Sequence, residues 1–382
     1  MALRVLATAL LAMSSAVASS GALAEPSPAP IDAAVRLADW QLERMGETAS
    51  ISRQTGDTGK PRAWEQAVFW VGMTALADAG APPRIKQAIL AMGNANRWLP
   101  GDKPYFADDH AITQSYLWAA ANGAGEAARL PTRRTFDKVV GEPAVTTLAF
   151  YVPPEGYGAA ECLTRWCWCD ALFMAPPALV ELSRQTGDDR YRQFAVKEFW
   201  ATTEFLFDPV EHLYYRDSRF FERRDAKGRK MFWSRGNGWV FAGMPRIVAG
   251  LAKDSSDRRR IEAKFVEMAA RLRELQKPDG YWPPSLLAPE DSPPETSGTA
   301  FYTYGMAWGI SAGLLPRDQY EPVVRRGWAA LTKAIQPDGR LGWVQQVSDR
   351  PETVAAGDTQ YYGVGAFLLA ATAVAELDKS KR

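Results

Sequence analysis

Histidine is scarce in this chain: His110 and His212 are the only two among 382 residues. So few imidazoles exclude His-rich metal centres and leave a Ser-His-Asp triad little to draw on. Cysteine is nearly as rare, with Cys162, Cys167 and Cys169 crowded into one short stretch. Without accompanying His that cluster is a poor zinc site. Buried free thiols are the expectation, or a local disulfide from Cys162 with one thiol left over. Neither sign of charge is in excess, 45 Lys plus Arg facing 44 Asp plus Glu, so no global field points to nucleic acid or an anionic membrane. The P-loop and the three-Gly dinucleotide fingerprint are both missing. No metal or cofactor is expected.

Apolar and aromatic residues, by contrast, are plentiful: 47% of the chain is hydrophobic and it carries 14 Trp. At the N-terminus Arg4 precedes an apolar run from Val5 to about Val17, too short to span a membrane. Ala22-Leu23-Ala24 then offers an A-x-A cleavage site before Glu25. Residues 1–24 therefore read as an export signal, leaving a near-neutral periplasmic or secreted chain that is not inserted in the membrane.

From residue 25 onward the apolar spacing is helical in about twelve segments: 31–45, 62–79, 83–97, 109–123, 132–143, 169–186, 188–206, 237–252, 257–276, 298–313, 319–335 and 359–376. Strand-like runs are few and short, Ala144 to Val152 and Leu213 to Tyr215 among them. Two echoes suggest a repeated helical pair. Arg53-Gln-Thr-Gly-Asp57 recurs as Arg184-Gln-Thr-Gly-Asp188, and Gln276-Lys-Pro-Asp-Gly-Tyr-Trp282 as Gln336-Pro-Asp-Gly-Arg-Leu-Gly-Trp343. Stacked helical pairs either run on as a solenoid or close on themselves. Six pairs close as an all-α (α/α)6 toroid forming one domain over 25–382. An open α-solenoid is the alternative, though long irregular loops such as 207–232 and 281–297 are unlike one.

The chemistry concentrates in two stretches. Asp170 ends Arg165-Trp-Cys-Trp-Cys169 and begins a wholly apolar run to Pro177. Desolvation there would hold a proton on its carboxyl near neutrality, yet Asp is also a good helix N-cap. Asp108-Asp109-His110 opens another helix, where a cap is again the plain reading. Two such acids facing one funnel would suit the opening of a glycosidic linkage. The second stretch, Trp233-Ser-Arg-Gly-Asn-Gly-Trp239, sets a guanidinium between two indoles over a bare backbone. Trp166, Trp168, Trp233, Trp239 and Trp282, beside Gly and polar residues, are the better sugar-stacking indoles. Arg235 is expected to clamp a carboxylate, its alternative being a helix-end or surface ion pair. Asn237 and Gly238 lead into a helix whose amides favour an anion.

Together, Trp233–Trp239, Trp168-Cys-Asp170-Ala-Leu-Phe-Met-Ala-Pro-Pro177 and Ala107-Asp-Asp-His-Ala-Ile-Thr-Gln114 resemble the unsaturated uronyl hydrolases of glycoside hydrolase family 105. The related family 88 shares the Trp-x-Arg-Gly…Trp spacing. The resemblance spans nearly the whole chain past the leader. It implies an (α/α)6 barrel that removes a 4,5-unsaturated uronic acid from the non-reducing end of an oligosaccharide left by a polysaccharide lyase. It also implies a reaction without an anomeric nucleophile: an Asp protonates C4 of the vinyl ether, and water adds at C5. By motif position Asp170 is acid and base, and Asp109 is the second acid with Asp108 as its rival. Trp168, Trp233, Arg235, Asn237, Trp239 and His110 would meet the substrate. The family often carries a His after the Leu-x-Tyr turn, whereas here Leu213-Tyr-Tyr215 is followed by Arg216, which would take over that contact. The polysaccharide stays open among rhamnogalacturonan, arabinogalactan, ulvan and other types, and the oligomeric state is not readable. A lyase on a similar toroid, or a non-catalytic acidic-glycan-binding protein, are the competing functions.

Overall fold

The computed structural model describes residues 29–47, 60–290 and 292–380. The expected export signal at 1–24 and the first Arg-Gln-Thr-Gly-Asp echo lie outside the described residues. In chain order the helices are α1 (Pro30–Glu43), α2 (Trp64–Asp78), α3 (Pro83–Ala95), α4 (Ala107–Ala119), α5 (Glu126–Gly141), α6 (Ala171–Met174), α7 (Pro176–Thr186), α8 (Asp189–Leu206), α9 (Ser234–Ala249), α10 (Ser256–Glu274), α11 (Thr296–Ser311), α12 (Arg317–Lys333) and α13 (Tyr361–Lys379). α6 and α7 are one helix broken where Pro176 and Pro177 withdraw two backbone donors.

Two kinds of helix alternate, and their sequences say which is which. α10 buries Ile261, Phe265, Met268, Ala269 and Leu272, one stripe at helical spacing, and turns its Arg and Glu residues outward. α1, α3, α5, α8 and α12 share that one-sided pattern. α11 and α13 have no polar face and bury residues all round, as do α2, α4, α6–α7 and α9. The second set forms an inner ring in which α2 packs on α4, α4 on α6–α7, these on α9, α9 on α11, α11 on α13, and α13 back on α2. That last contact closes an (α/α)6 toroid and rules out an open solenoid. It is a close one: a Cβ on Gly72 of α2 would meet the carbonyl oxygen of Gly365 of α13 at 2.5 Å, so two glycines seal the ring.

The connections are unequal. Inner helices pass to the next outer helix through short links such as 79–82, 187–188, 250–255 and 312–316. Outer helices return through 96–106, 142–170, 207–233, 275–295 and 334–360. These long loops therefore gather at the rim where the inner helices begin. One holds a small hairpin, β1 (Phe207–Asp208) antiparallel to β2 (Leu213–Tyr214). Two others carry the second echo, each turning on a glycine at positive φ, Gly280 and Gly339. Ala144 to Val152 forms no strand; it lies along the surface with Val145 and Tyr151 exposed and no partner strand beside it. Cys162 and Cys167 form a disulfide, and Cys169 is a buried free thiol. Among the described residues no helix is long and apolar enough to cross a membrane.

Candidate active site

A cavity of about 390 Å³ opens at the long-loop rim. Trp64 reaches it from the first residue of α2, Asp108 from the first turn of α4, Asp170 from the start of α6, and Trp233 and Trp239 from the start of α9. Several inner-helix N-termini thus point their positive ends at one space. Loops complete the wall with Tyr157, Arg216 and the run from Val347 to Arg350, with Glu352 beyond.

Asp170 occupies the N-cap position of α6 yet makes no capping bond, which sets aside the plain reading of that residue. Its carboxylate instead receives the Cys169 thiol at 3.4 Å and the Arg216 Nε at 3.3 Å. Burial pushes Asp170 above the ordinary carboxylate range, and Arg216 pulls it back. Asp108 is pushed well above that range, first by burial and then by the charge of Asp170. Both carboxyls are thus shifted toward their protonated forms, Asp108 further than Asp170, whose charge Arg216 supports. Gly236 lies beneath: a Cβ there would meet the Trp233 ring at 2.9 Å and sit 3.6 Å from the Asp170 Oδ1.

Five of the expected site residues do not line the cavity. Asp109 does not line the cavity; one step along a helix turns a side chain by about 100°. Its carboxylate faces away, accepting the Lys103 N–H at 2.6 Å. His110 is buried against Phe136 with its Nε2 bonded to the Pro104 carbonyl at 2.7 Å, and burial lowers it to about 4. Trp168 is core, stacked on Phe106 with ring centres 5.3 Å apart. Asn237 is a clamp: its Oδ1 accepts the Tyr214 N–H and its Nδ2 donates to the carbonyls of Tyr214 and Trp233, pinning β2 to α9.

Arg235 is the fifth. It is fully buried, sandwiched between the rings of Trp233 and Tyr362 at 4.5 and 4.7 Å. Its two terminal nitrogens donate to the carbonyls of Gln345 and Gln346 at 2.7 and 2.8 Å, and its Nε is buried without a partner among the described residues. It ties α9 to the 334–360 loop and leaves no fork for a ligand. Trp166 and Trp282 likewise belong to the core.

Trp233, Trp239, Arg216 and Asp170 line the cavity. Trp64, Tyr157, Met174 and the 347–352 loop were missed. Trp64 alone carried a signal, a Trp opening an apolar helix; the loop residues show no motif. Among the described residues no group of His, Cys, Asp or Glu is gathered as a metal site.

Comparison with known proteins follows the same lines. The family model described as Glycosyl Hydrolase Family 88 matches residues 33–377. Two relatives share the name unsaturated 3S-rhamnoglycuronyl hydrolase. That from Alteromonas sp. (strain LOR) is 39% identical, covering 88% of this chain and 83% of its own length. That from Formosa agariphila is 34% identical, covering 84% and 86%. A solved structure named Polysaccharide Lyase BACCELL_00875 is 26% identical with a TM-score of 0.77, covering 92% of this chain and 98% of that one. The match runs through the cavity-lining acids and indoles alike, and the chain belongs to glycosyl hydrolase family 88.

Proposed function

We propose that this glycoside hydrolase removes a 4,5-unsaturated uronic acid from the non-reducing end of lyase-generated oligosaccharides by hydrating its vinyl ether. The observation that carries the reading is the pair Asp108 and Asp170, buried in one cavity beside Trp64, Trp233 and Trp239. Burial favours the proton-bearing form of both, which suits a carboxyl that must give and take back a proton. The indoles offer flat walls to a flattened, unsaturated ring.

In this reading Asp170 delivers its proton to C4, the double-bond electrons form the new C–H bond, and positive charge spreads over C5 and the ring oxygen. Water then bonds to C5 through its oxygen while its proton passes to the Asp170 carboxylate, which is thereby restored as an acid. The hemiketal opens at the bond between C5 and the ring oxygen, and the hemiacetal left at C1 expels the next sugar as an alcohol. Asp108 acts through Asp170, the two charges opposing each other in one cavity. The name shared by the two relatives makes rhamnoglycuronyl oligosaccharides the first substrates to try. The export signal at 1–24 and the Cys162–Cys167 disulfide support a place outside the cytoplasm.

The test is to mix the protein with lyase-digested ulvan, pectin, arabinogalactan and glycosaminoglycan and follow the double-bond absorbance. Loss of absorbance with release of the next sugar is expected. A rise on the undigested polymer would identify a lyase. Binding without any change would identify a glycan-binding protein.

A further inference from the structure

Arg216 differs from most buried arginines in having an unused edge. Its Nη1 is saturated, donating to the Tyr157 hydroxyl at 2.7 Å and to Asp217 at 2.9 Å. Asp217 is itself gripped by Arg219 at 2.8 and 2.7 Å, and Arg219 by Asp349 at 2.8 Å. The guanidinium is therefore held from behind. On its other edge Nε meets Asp170 at 3.3 Å, long for a charge-assisted bond, which usually measures about 2.7–2.9 Å. Nη2 donates to nothing among the described residues, although the side chain is only 8% exposed and lines the cavity. A planar N–H pair is left facing the space where a substrate would sit, half engaged by the acid.

Resting on the function proposed above, we propose that Arg216 is the receptor for the substrate's uronate carboxylate, which docks on the Nε–Nη2 edge and displaces Asp170 from the guanidinium. A carboxylate fits that edge through two parallel hydrogen bonds, which a Lys ammonium does not reproduce. The carboxylate is attached to C5, so docking it on Arg216 brings the neighbouring C4 up to Asp170. The exchange also changes the acid. The groups facing Asp170 are the Cys169 thiol, Arg216 with Tyr157 and Asp217 around it, Arg235 from α9 and Asp108 from α4. Once Arg216 turns to the substrate, burial still opposes the charge on Asp170 while its nearest support is gone. Asp170 therefore holds a proton more tightly with the substrate docked than in the empty cavity.

The experiment compares the unsaturated disaccharide with its methyl ester in wild type, Arg216→Gln and Arg216→Lys, each over a pH series. In wild type the ester is expected to be poorer than the acid by about a hundredfold in kcat/KM. Arg216→Gln should lose about a hundredfold or more on the acid and less than about fivefold on the ester. Activity falls as pH rises through the value of the proton donor. The alkaline limb of kcat, which reports the complex, should therefore lie above that of kcat/KM, which reports the free enzyme. In Arg216→Gln the free enzyme has already lost the cation, so the two limbs should coincide. If Arg216→Gln does not fold, Arg216→Lys carries the same comparison, with about a tenfold loss confined to the acid. Equal losses on acid and ester, or limbs that already coincide in wild type, would overturn the assignment and leave the hydrolase reading standing. A wild type that consumes neither compound would remove the hydrolase reading and the assignment together.

Discussion

Arg235 comes from the first turn of α9 and Arg216 from the bend after β2, and both lie close enough to Asp170 to favour its charged form. Both are buried, Arg235 between two aromatic rings and Arg216 beside one, and both stood out in the sequence. Arg235 spends its terminal nitrogens on two backbone carbonyls of the 334–360 loop, while Arg216 keeps one nitrogen unpaired at the cavity. The difference is in the partners and not in the residue type. A guanidinium whose two terminal nitrogens both end on backbone is framework, because a ligand would have to break two buried hydrogen bonds to reach it. One anchored on a single edge is a receptor. Asp108 and Asp109 repeat the contrast: neighbours in sequence, one faces the cavity and the other closes a turn.

The largest effect expected of any substitution falls between the two arginines. Asp170→Asn should lower kcat by about three or more orders of magnitude, or roughly 4 kcal/mol of barrier, in steady-state assays. A variant keeping more than about a tenth of wild-type kcat would show that another group donates the proton. Next comes the acid pair. Asp108→Asn should cost about a hundredfold, since Asp170 loses its buried carboxyl neighbour in the cavity, whereas Asp109→Asn should stay within about fivefold of wild type. The reverse order would mean that Asp109 swings into the site. The smallest effect on activity should come from Arg235→Met, which shows instead as lost stability. The carbonyl of Gln346 is left without its donor, while that of Gln345 keeps the Tyr362 hydroxyl at 2.6 Å. Denaturant unfolding should register a loss of about 2–4 kcal/mol, with the preference for acid over methyl ester unchanged. A collapse of that preference would make Arg235 the receptor after all.

How much of this was legible from sequence depends on what each residue answers to. Helix periodicity is local, and 31–45, 188–206, 257–276 and 359–376 match α1, α8, α10 and α13 to within a few residues. α5 was read late, from 132, because Pro131 interrupts the pattern; in fact it lies within the helix that begins at Glu126. α9 was read from 237 because Gly236 and Gly238 look like loop. They are helical, made small by the indole and carboxylate packed on one and the Phe301 ring packed on the other. The motif residues were likewise found as a group, since a run of Trp, Arg and Gly is conspicuous wherever it points. Direction was what the sequence withheld. Whether Arg235 aims at substrate or at Gln345 depends on a loop more than a hundred residues away in the chain. Whether Asp108 or Asp109 faces inward depends on how α4 is rotated against α2 and α6. The 347–352 wall has no motif, and only closure of the ring brings it over the cavity.

Hydration of a vinyl ether and ordinary glycoside hydrolysis place the atoms of water on different carbons, so isotope labelling separates them in one reaction. The unsaturated disaccharide would be turned over in oxygen-labelled heavy water and the products read by mass spectrometry and NMR. Hydration delivered by Asp170 places one deuterium at C4 and the oxygen label at C5 of the released acid, with the glycosidic oxygen leaving on the neighbouring sugar. Oxygen label at the anomeric carbon with C4 unlabelled and the double bond intact would contradict it.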